Sequence, residues 1–178
     1  MRVGLDADNV IYDFSKAYNK KLIARGAAIT VDHQPLKYDW FTTYGVSVEE
    51  FLQDLDEMVD AKELFWKGDL CEPDIPYQIS VLRSLGHSIH IVTNRFSGKL
   101  ECPEKATRHF FKENKIVYDT LTFSNDKAVV QTDIFLEDNV KNYDALEAAG
   151  IKSFLIDRTY NQDTDGKVRR RVAAFSDF

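Results

Sequence analysis

Asp6 and Asp8 end an apolar run, Val3-Gly4-Leu5-Asp6-Ala7-Asp8, and carboxylates at i and i+2 on a strand tip can share one reaction. One can be aimed at a phosphorus while the other reaches the leaving oxygen from the side. A phosphate monoester is already an anion, so a carboxylate nucleophile needs charge compensation, and Mg²⁺ with its preference for oxygen ligands is the natural compensator. Ile91-Val92-Thr93-Asn94-Arg95, Asn125-Asp126-Lys127 and Ile134-Phe135-Leu136-Glu137-Asp138-Asn139 supply groups that fit this chemistry. Glu137 and Asp138 can complete the metal ligands. Lys127 can neutralise the transferring phosphoryl group, and the Thr93 hydroxyl with the backbone N–H groups after it can hold the equatorial oxygens.

Each group also has a plainer explanation. A carboxylate pair after a strand can be only a turn former, and Thr93-Asn94 or Asp138-Asn139 can be only helix N-caps, which favour the same residue types. A lone lysine is ordinarily a solvated surface residue. What favours a site is that all of them occur in order at expected strand ends of one α/β pattern.

To converge, these groups need a scaffold that brings distant strand ends to one edge. The apolar period switches repeatedly between strand-like runs and helical spacing, the mark of β and α units alternating around a parallel sheet. Strands are expected near residues 2–5, 88–92, 120–123, 134–136 and 153–156. Phe14, Ala17, Tyr18 and Leu22 line one helix that stops by Gly26, and Ile75, Ile79, Leu82 and Leu85 line another that ends at Gly86. Pro103 suits the first turn of a helix running to about Asn114, and Val140, Tyr143 and Leu146 define one closed by Gly150. Parallel strands put their C-terminal ends on one side, where ligands of such sheets bind, so Asp6, Asp8, Thr93, Lys127 and Asp138 can meet.

Residues 26–71 break this rhythm and read as an inserted helical cap, leaving 1–25 and 72–178 as the α/β core. Ser47 and Glu50 form a capping-box pattern ahead of Val48, Phe51, Leu52, Leu55, Met58 and Val59 at helical spacing. Tyr38, Trp40, Phe41, Tyr44, Phe65 and Trp66 crowd the same stretch. They can form the insertion's own small core, or one or two of them can face the site and stack on a nucleobase.

The chain has 178 residues, 44% of them hydrophobic and 29% charged, and a net charge of −6, the profile of a single soluble domain with a modest insertion. The acidic balance weighs against polymeric nucleic acid and anionic membrane as partners. No signal-peptide pattern opens the sequence, and no apolar stretch approaches membrane-spanning length, so a cytoplasmic protein is expected. Cys71 and Cys102 lack metal-site spacing and read as free thiols. Lys167-Val168-Arg169-Arg170-Arg171 reads as a solvated face or a salt-bridged strand edge. A small-molecule phosphomonoester is the expected partner, and a homodimer is left open.

In these motifs the chain resembles the haloacid-dehalogenase (HAD) superfamily of phosphatases, and within it the 5′(3′)-deoxyribonucleotidases. The superfamily's first signature, Asp-x-Asp-x-(Thr/Val), is matched by Asp6-Ala7-Asp8-Asn9-Val10, with Asp13 where this branch carries a further acidic residue. Thr93 matches the second signature, Lys127 the third and Leu136-Glu137-Asp138-Asn139 the acidic fourth, while Cys102-Pro103-Glu104-Lys105 resembles a stretch that follows the second in the nucleotidases. The similarity runs from residue 2 to about 161, and the insertion falls where members with a small helical cap carry theirs.

The resemblance implies a HAD-like, Rossmann-type parallel sheet flanked by helices. It implies Asp6 as nucleophile, forming an aspartyl-phosphate that water hydrolyses, and Asp8 as acid to the leaving alcohol and then base to that water. Mg²⁺ would be held by the Asp6 carboxylate, the Asp8 backbone carbonyl and Asp138, with Glu137 assisting. Thr93, Asn94 and Lys127 would bind phosphate. Asn9 stands where many members have glycine, and asparagine is the next best tolerated residue in left-handed backbone. Asp133 remains an alternative metal-site carboxylate. The activity implied is Mg²⁺-dependent hydrolysis of nucleoside or deoxynucleoside monophosphates in nucleotide metabolism. The alternatives are another small phosphoester, such as a sugar phosphate, or a non-catalytic nucleotide-binding module on the same scaffold.

Overall fold

A computed structural model describes residues 1–163 and 165–178, and among them the expected alternation becomes six parallel strands and five α-helices. The strands are β1 (Arg2–Leu5), β2 (Ser88–Thr93), β3 (Thr120–Phe123), β4 (Ile134–Glu137), β5 (Lys152–Ile156) and β6 (Arg171–Val172). The helices are α1 (Phe14–Ala24), α2 (Val48–Asp60), α3 (Ile75–Ser84), α4 (Pro103–Glu113) and α5 (Val140–Ala148). The sheet order is β3-β2-β1-β4-β5-β6, so the chain reverses its direction of travel across the sheet between β1 and β4. Every pairing is parallel.

Strand side chains alternate between two apolar cores. Val3, Leu5, Ile91 and Leu136 join the larger one, with Tyr18 and Leu22 of α1 and Phe110 and Phe111 of α4. Val92 and Phe135 turn the other way, against Leu146 and Ile151. β1 and β4 approach closely at Gly4, where a Cβ would stand 2.2 Å from the Phe135 ring and 2.9 Å from Thr132 Oγ1. Only glycine leaves that ring its place.

β6 is an addition to the five expected strands. It is two residues long and rich in arginine, so no apolar run marks it. The basic tail is nevertheless the salt-bridged strand edge anticipated as one of its readings. Arg169 is buried and pairs with Asp144, Asp163 and Asp165, while Arg170 reaches Glu147 and Arg171 reaches Asp157.

Between α1 and α3 the capping box of Ser47 and Glu50 opens α2 as its pattern required. Leu55, Met58 and Val59 are buried and Phe51 is half-buried. Val48 and Leu52, expected on the same face, are instead 59% and 53% exposed. Leu85 caps α3 from an exposed position rather than packing beneath it. Asp54 lies buried under α2 and ties it to α1 by accepting from the Tyr18 hydroxyl and from the Arg25 guanidinium at 2.6 and 2.8 Å. The returning chain pairs with the segment after β1, the Cys71 N–H donating to the Ile11 carbonyl and the Asp13 N–H to the Asp69 carbonyl, both at 2.9 Å.

The loop from β2 to α4 is fastened to the same helix through its main chain. Asp56 accepts from the Gly98 N–H at 2.7 Å, and Asp60 accepts from the N–H groups of Lys99, Leu100 and Glu101. Cys71 and Cys102 are free thiols. No helix among the described residues is long and apolar enough to cross a membrane.

Candidate active site

Register sets the site. Leu5 pairs with Leu136 and Ile91, so the residues that follow, Asp6, Glu137 and Val92, reach the C-terminal edge together at the point where strand order reverses. Asp6, Glu137 and Asp138 are all buried there, each offering an oxygen within 4.8 Å of the others. Lys127, in a 3-10 turn after β3, inserts its ammonium among them. Its Nζ donates to Asp6 Oδ1 at 2.5 Å and to the Val92 carbonyl at 2.8 Å. Four residues separated by up to 132 positions therefore share one small volume.

Three buried carboxylates against one ammonium leave a surplus of negative charge. Burial raises the Asp6 carboxyl to about 6; Lys127 opposes that rise, and Asp138 and Asp8 add to it. Burial, then the Asp6 charge, pushes Glu137 well above its usual range, and burial raises Asp138 as well. Burial alone would lower the Lys127 ammonium, but Asp6 and Glu137 hold it above its ordinary value. Glu137 Oε1 accepts from the N–H groups of Asp138 and Asn139, whereas Oε2 is buried with no partner. Closely spaced carboxylate oxygens, excess negative charge and an orphaned acceptor fit a hard divalent cation.

Thr93 ends β2 beside Val92, fully buried, with its Oγ1 unpartnered. Asn94 stands exposed at the tip, with no side-chain hydrogen bond among the described residues. Asn9 adopts φ +56°, the left-handed backbone anticipated for it, and its side chain accepts from the N–H and hydroxyl of Ser15. Asp13 caps α1 through the Lys16 N–H. Asp133 lies at the opposite end of β4, exposed and accepting from the Arg2 N–H, so it is not a member of the cluster.

No family model matches the sequence, and no curated protein matches it. Solved structures do match, over almost the whole chain. An assigned haloacid dehalogenase-like hydrolase from Bacteroides fragilis has a TM-score of 0.61 at 14% identity, covering 98% of this chain and 97% of its own. The fold is that of the haloacid dehalogenase-like hydrolases. Similar likenesses, with TM-scores of 0.55 and 0.54, extend to an assigned β-phosphoglucomutase from Thermotoga maritima at 16% identity and an assigned phosphoglycolate phosphatase from Lactobacillus plantarum at 17%. The first covers 92% of this chain and 89% of its own, the second 97% and 94%.

Within this haloacid dehalogenase-like fold, most of the aromatic residues considered for a base pocket are packed away from the carboxylates. Trp40 and Phe41 are core residues. Phe41 stacks on Phe51 at 4.1 Å, and Trp40 packs on Tyr18 and donates to Asn19. Their large apolar area is what closes the chain between α1 and α3 onto α1. Phe65 is buried against Arg95. Tyr44 bonds to His33, and Trp66 lies against His109. Tyr38 alone reaches the site's margin. It is 60% exposed and meets Tyr160 edge-on at 6.1 Å, in a cleft of about 570 Å³ that also borders Asp138 and Asn139. A second cleft, of about 500 Å³, lies between Asn9, Asp13 and Arg158.

Three supporting residues were not singled out from sequence. The Tyr160 hydroxyl donates to Asp138 Oδ2, and the Asn161 amide donates to the Asp138 carbonyl at 2.7 Å. Arg95 forks Asp8. Tyr160 and Asn161 follow the last apolar run as loop sequence, with nothing local to mark them. Arg95 sits in the same segment as Thr93, but arginine at a strand tip ordinarily reads as solvated.

Proposed function

We propose that the chain is a Mg²⁺-dependent phosphomonoesterase acting on nucleoside or deoxynucleoside monophosphates through an aspartyl-phosphate. The observation that carries this reading is the Lys127 ammonium on Asp6 Oδ1, at the centre of a buried carboxylate cluster at the reversal point of the sheet. Lys127 fixes one Asp6 oxygen and leaves Oδ2 without a hydrogen-bond partner among the described residues. That oxygen attacks phosphorus as the ester P–O bond breaks, and Asp8 gives a proton to the departing alcohol. Asp8 then takes a proton from water, whose oxygen attacks the same phosphorus, and the Asp6–phosphate bond opens to regenerate the carboxylate. Lys127 and the backbone N–H groups after Thr93 bind the phosphoryl oxygens throughout.

Asp6, Asp138 and the Asp8 carbonyl, with Glu137 behind them, would hold the metal, which supplies positive charge to let two anions meet. Tyr160 holds Asp138 in place for that task. Tyr160→Phe is expected to weaken Mg²⁺ binding roughly 10- to 100-fold while the metal-free protein folds normally. Titration of Mg²⁺ against thermal unfolding measures this directly, and an unchanged Mg²⁺ midpoint would remove Tyr160 from the role.

Nucleotide specificity is supported by the nucleotidase-like motifs and by Tyr38, an exposed ring beside the cleft next to Asp138. A small phosphoester without a base, such as a sugar phosphate, fits the fold equally well. It is favoured by the burial of Trp40, Phe41 and Phe65 and by the likeness to proteins assigned to sugar phosphate and phosphoglycolate. Phosphate release from a panel of nucleotides and sugar phosphates, with Mg²⁺ and with chelator, decides between them. Release from nucleotides that chelator abolishes is expected. Equal rates on sugar phosphates would move the assignment to the second reading, and no release from any ester would overturn both.

A further inference from the structure

Arg95 is one of the largest fully buried side chains, and all three nitrogens of its guanidinium donate hydrogen bonds. Nη2 donates to Asp8 Oδ1 at 2.8 Å and Nε to Asp8 Oδ2 at 3.0 Å. Nη1 donates to Thr107 Oγ1 at 3.0 Å, and that hydroxyl donates onward to the Pro103 carbonyl at 2.8 Å, anchoring the group to the first turn of α4. The guanidinium carbon lies 4.1 Å from the centre of the Phe65 ring and 4.9 Å from that of Tyr12. Arginine is seldom buried unless paired, and its planar fork fixes a carboxylate's orientation as a lysine ammonium cannot.

Asp8 is held differently from its neighbours. Its side chain keeps 24% exposure while Arg95 has none, so the carboxylate stands at the boundary of the site, fastened from the protein side. Oδ1 accepts from both Nε and Nη2, whereas Oδ2 accepts from Nε alone. Oδ2 therefore keeps a lone pair for a travelling proton.

We propose that Arg95 is a positioning residue for proton transfer, fixing the Asp8 carboxylate in the one orientation from which it serves the leaving alcohol and then the attacking water. This rests on the phosphatase reading above. In the first step proton transfer matters for an alkoxide leaving group and hardly at all for p-nitrophenolate, which departs as a stable anion. An ion pair that only holds the fold together has no means of telling these two esters apart.

The test compares p-nitrophenyl phosphate with an alkyl ester, 2′-deoxyuridine 5′-monophosphate or glucose 6-phosphate, whichever the wild type hydrolyses faster. Arg95→Lys keeps the charge and loses the fork. It is expected to lower kcat/KM, which reports the steps through departure of the alcohol and not the later attack of water common to both esters, about 100-fold on the alkyl ester and less than about fivefold on p-nitrophenyl phosphate. Thr107→Val removes only the anchor behind Arg95, keeps the side-chain volume, and carries the same test should Arg95→Lys not fold. Its expected loss is about fivefold on the alkyl ester and less than about twofold on the aryl ester. Equal losses of kcat/KM on both esters, or no loss on either, would overturn the proposal while leaving the phosphatase reading intact. A wild type that releases phosphate from neither ester would overturn that reading, and the role of Arg95 with it.

Discussion

Asp6→Asn is expected to lower phosphate release by about 10⁴-fold or more, the loss typical when a covalent nucleophile is removed. The fold should survive. Asp6 joins the sheet through its backbone, its N–H donating to the Leu136 carbonyl at 3.0 Å, and an asparagine oxygen can still accept from Lys127. The change also removes one of three buried like charges. Without Mg²⁺ the variant should therefore unfold at or above the wild-type temperature, and it should gain less from added Mg²⁺. Parallel rate and thermal-unfolding measurements check both halves. A rate within about tenfold of wild type would remove Asp6 from the nucleophile role.

Lys127→Met keeps roughly the length of the side chain and removes its charge. Asp6, Glu137 and Asp138 would then share a buried space with no cation, and the Val92 carbonyl would lose its donor. Breaking a buried ion pair in this way costs about 3–5 kcal/mol. The expected rate loss is at least roughly 10²–10³-fold, since the transferring phosphoryl group loses its fixed countercharge. Because only the folded site gathers the carboxylates, saturating Mg²⁺ should recover part of the stability, and more of it than the same Mg²⁺ adds to wild type. Denaturant unfolding with and without Mg²⁺ measures this. A Lys127→Met protein as stable as wild type in chelator would mean that the carboxylates do not depend on that ammonium.

These opposed expectations arise from a cluster that was largely legible in the sequence. Asp6, Glu137 and Asp138 lie directly after apolar runs, and a run that short and that apolar becomes a strand wherever its ends can be paired. Once the strands are parallel, the position of the carboxylates follows. Helix limits were legible for a similar local reason: Ser47 with Glu50, Pro103 and Asn139 act on their own helix termini.

What was not legible depends on partners distant in sequence. Trp40 and Phe41 as isolated rings are equally suited to a base or to a core, and only the fit against Tyr18 and Phe51 assigns them to the core. Val48 and Leu52 obey the helical period of α2 yet remain exposed, because the neighbouring elements cover only one side of its apolar stripe. Arg95 is buried because Asp8 and Tyr12, Phe65 and Thr107 surround it from three separate segments. β6 exists because Leu155 and Ile156 offer an edge and the flanking arginines find carboxylates.

The grip of Asp56 and Asp60 on the chain between β2 and α4 engages amide hydrogens and takes no account of which side chains project there. Phe96 and Leu100 point to solvent, so amino-acid replacement at those places leaves the anchorage intact. Gly98 is the exception, with φ at +113° and a Cβ that would fall 2.7 Å from Val59. The rim beside Thr93 is thus a segment whose chemistry can drift in evolution, or be redesigned, while the machinery beneath it keeps its shape.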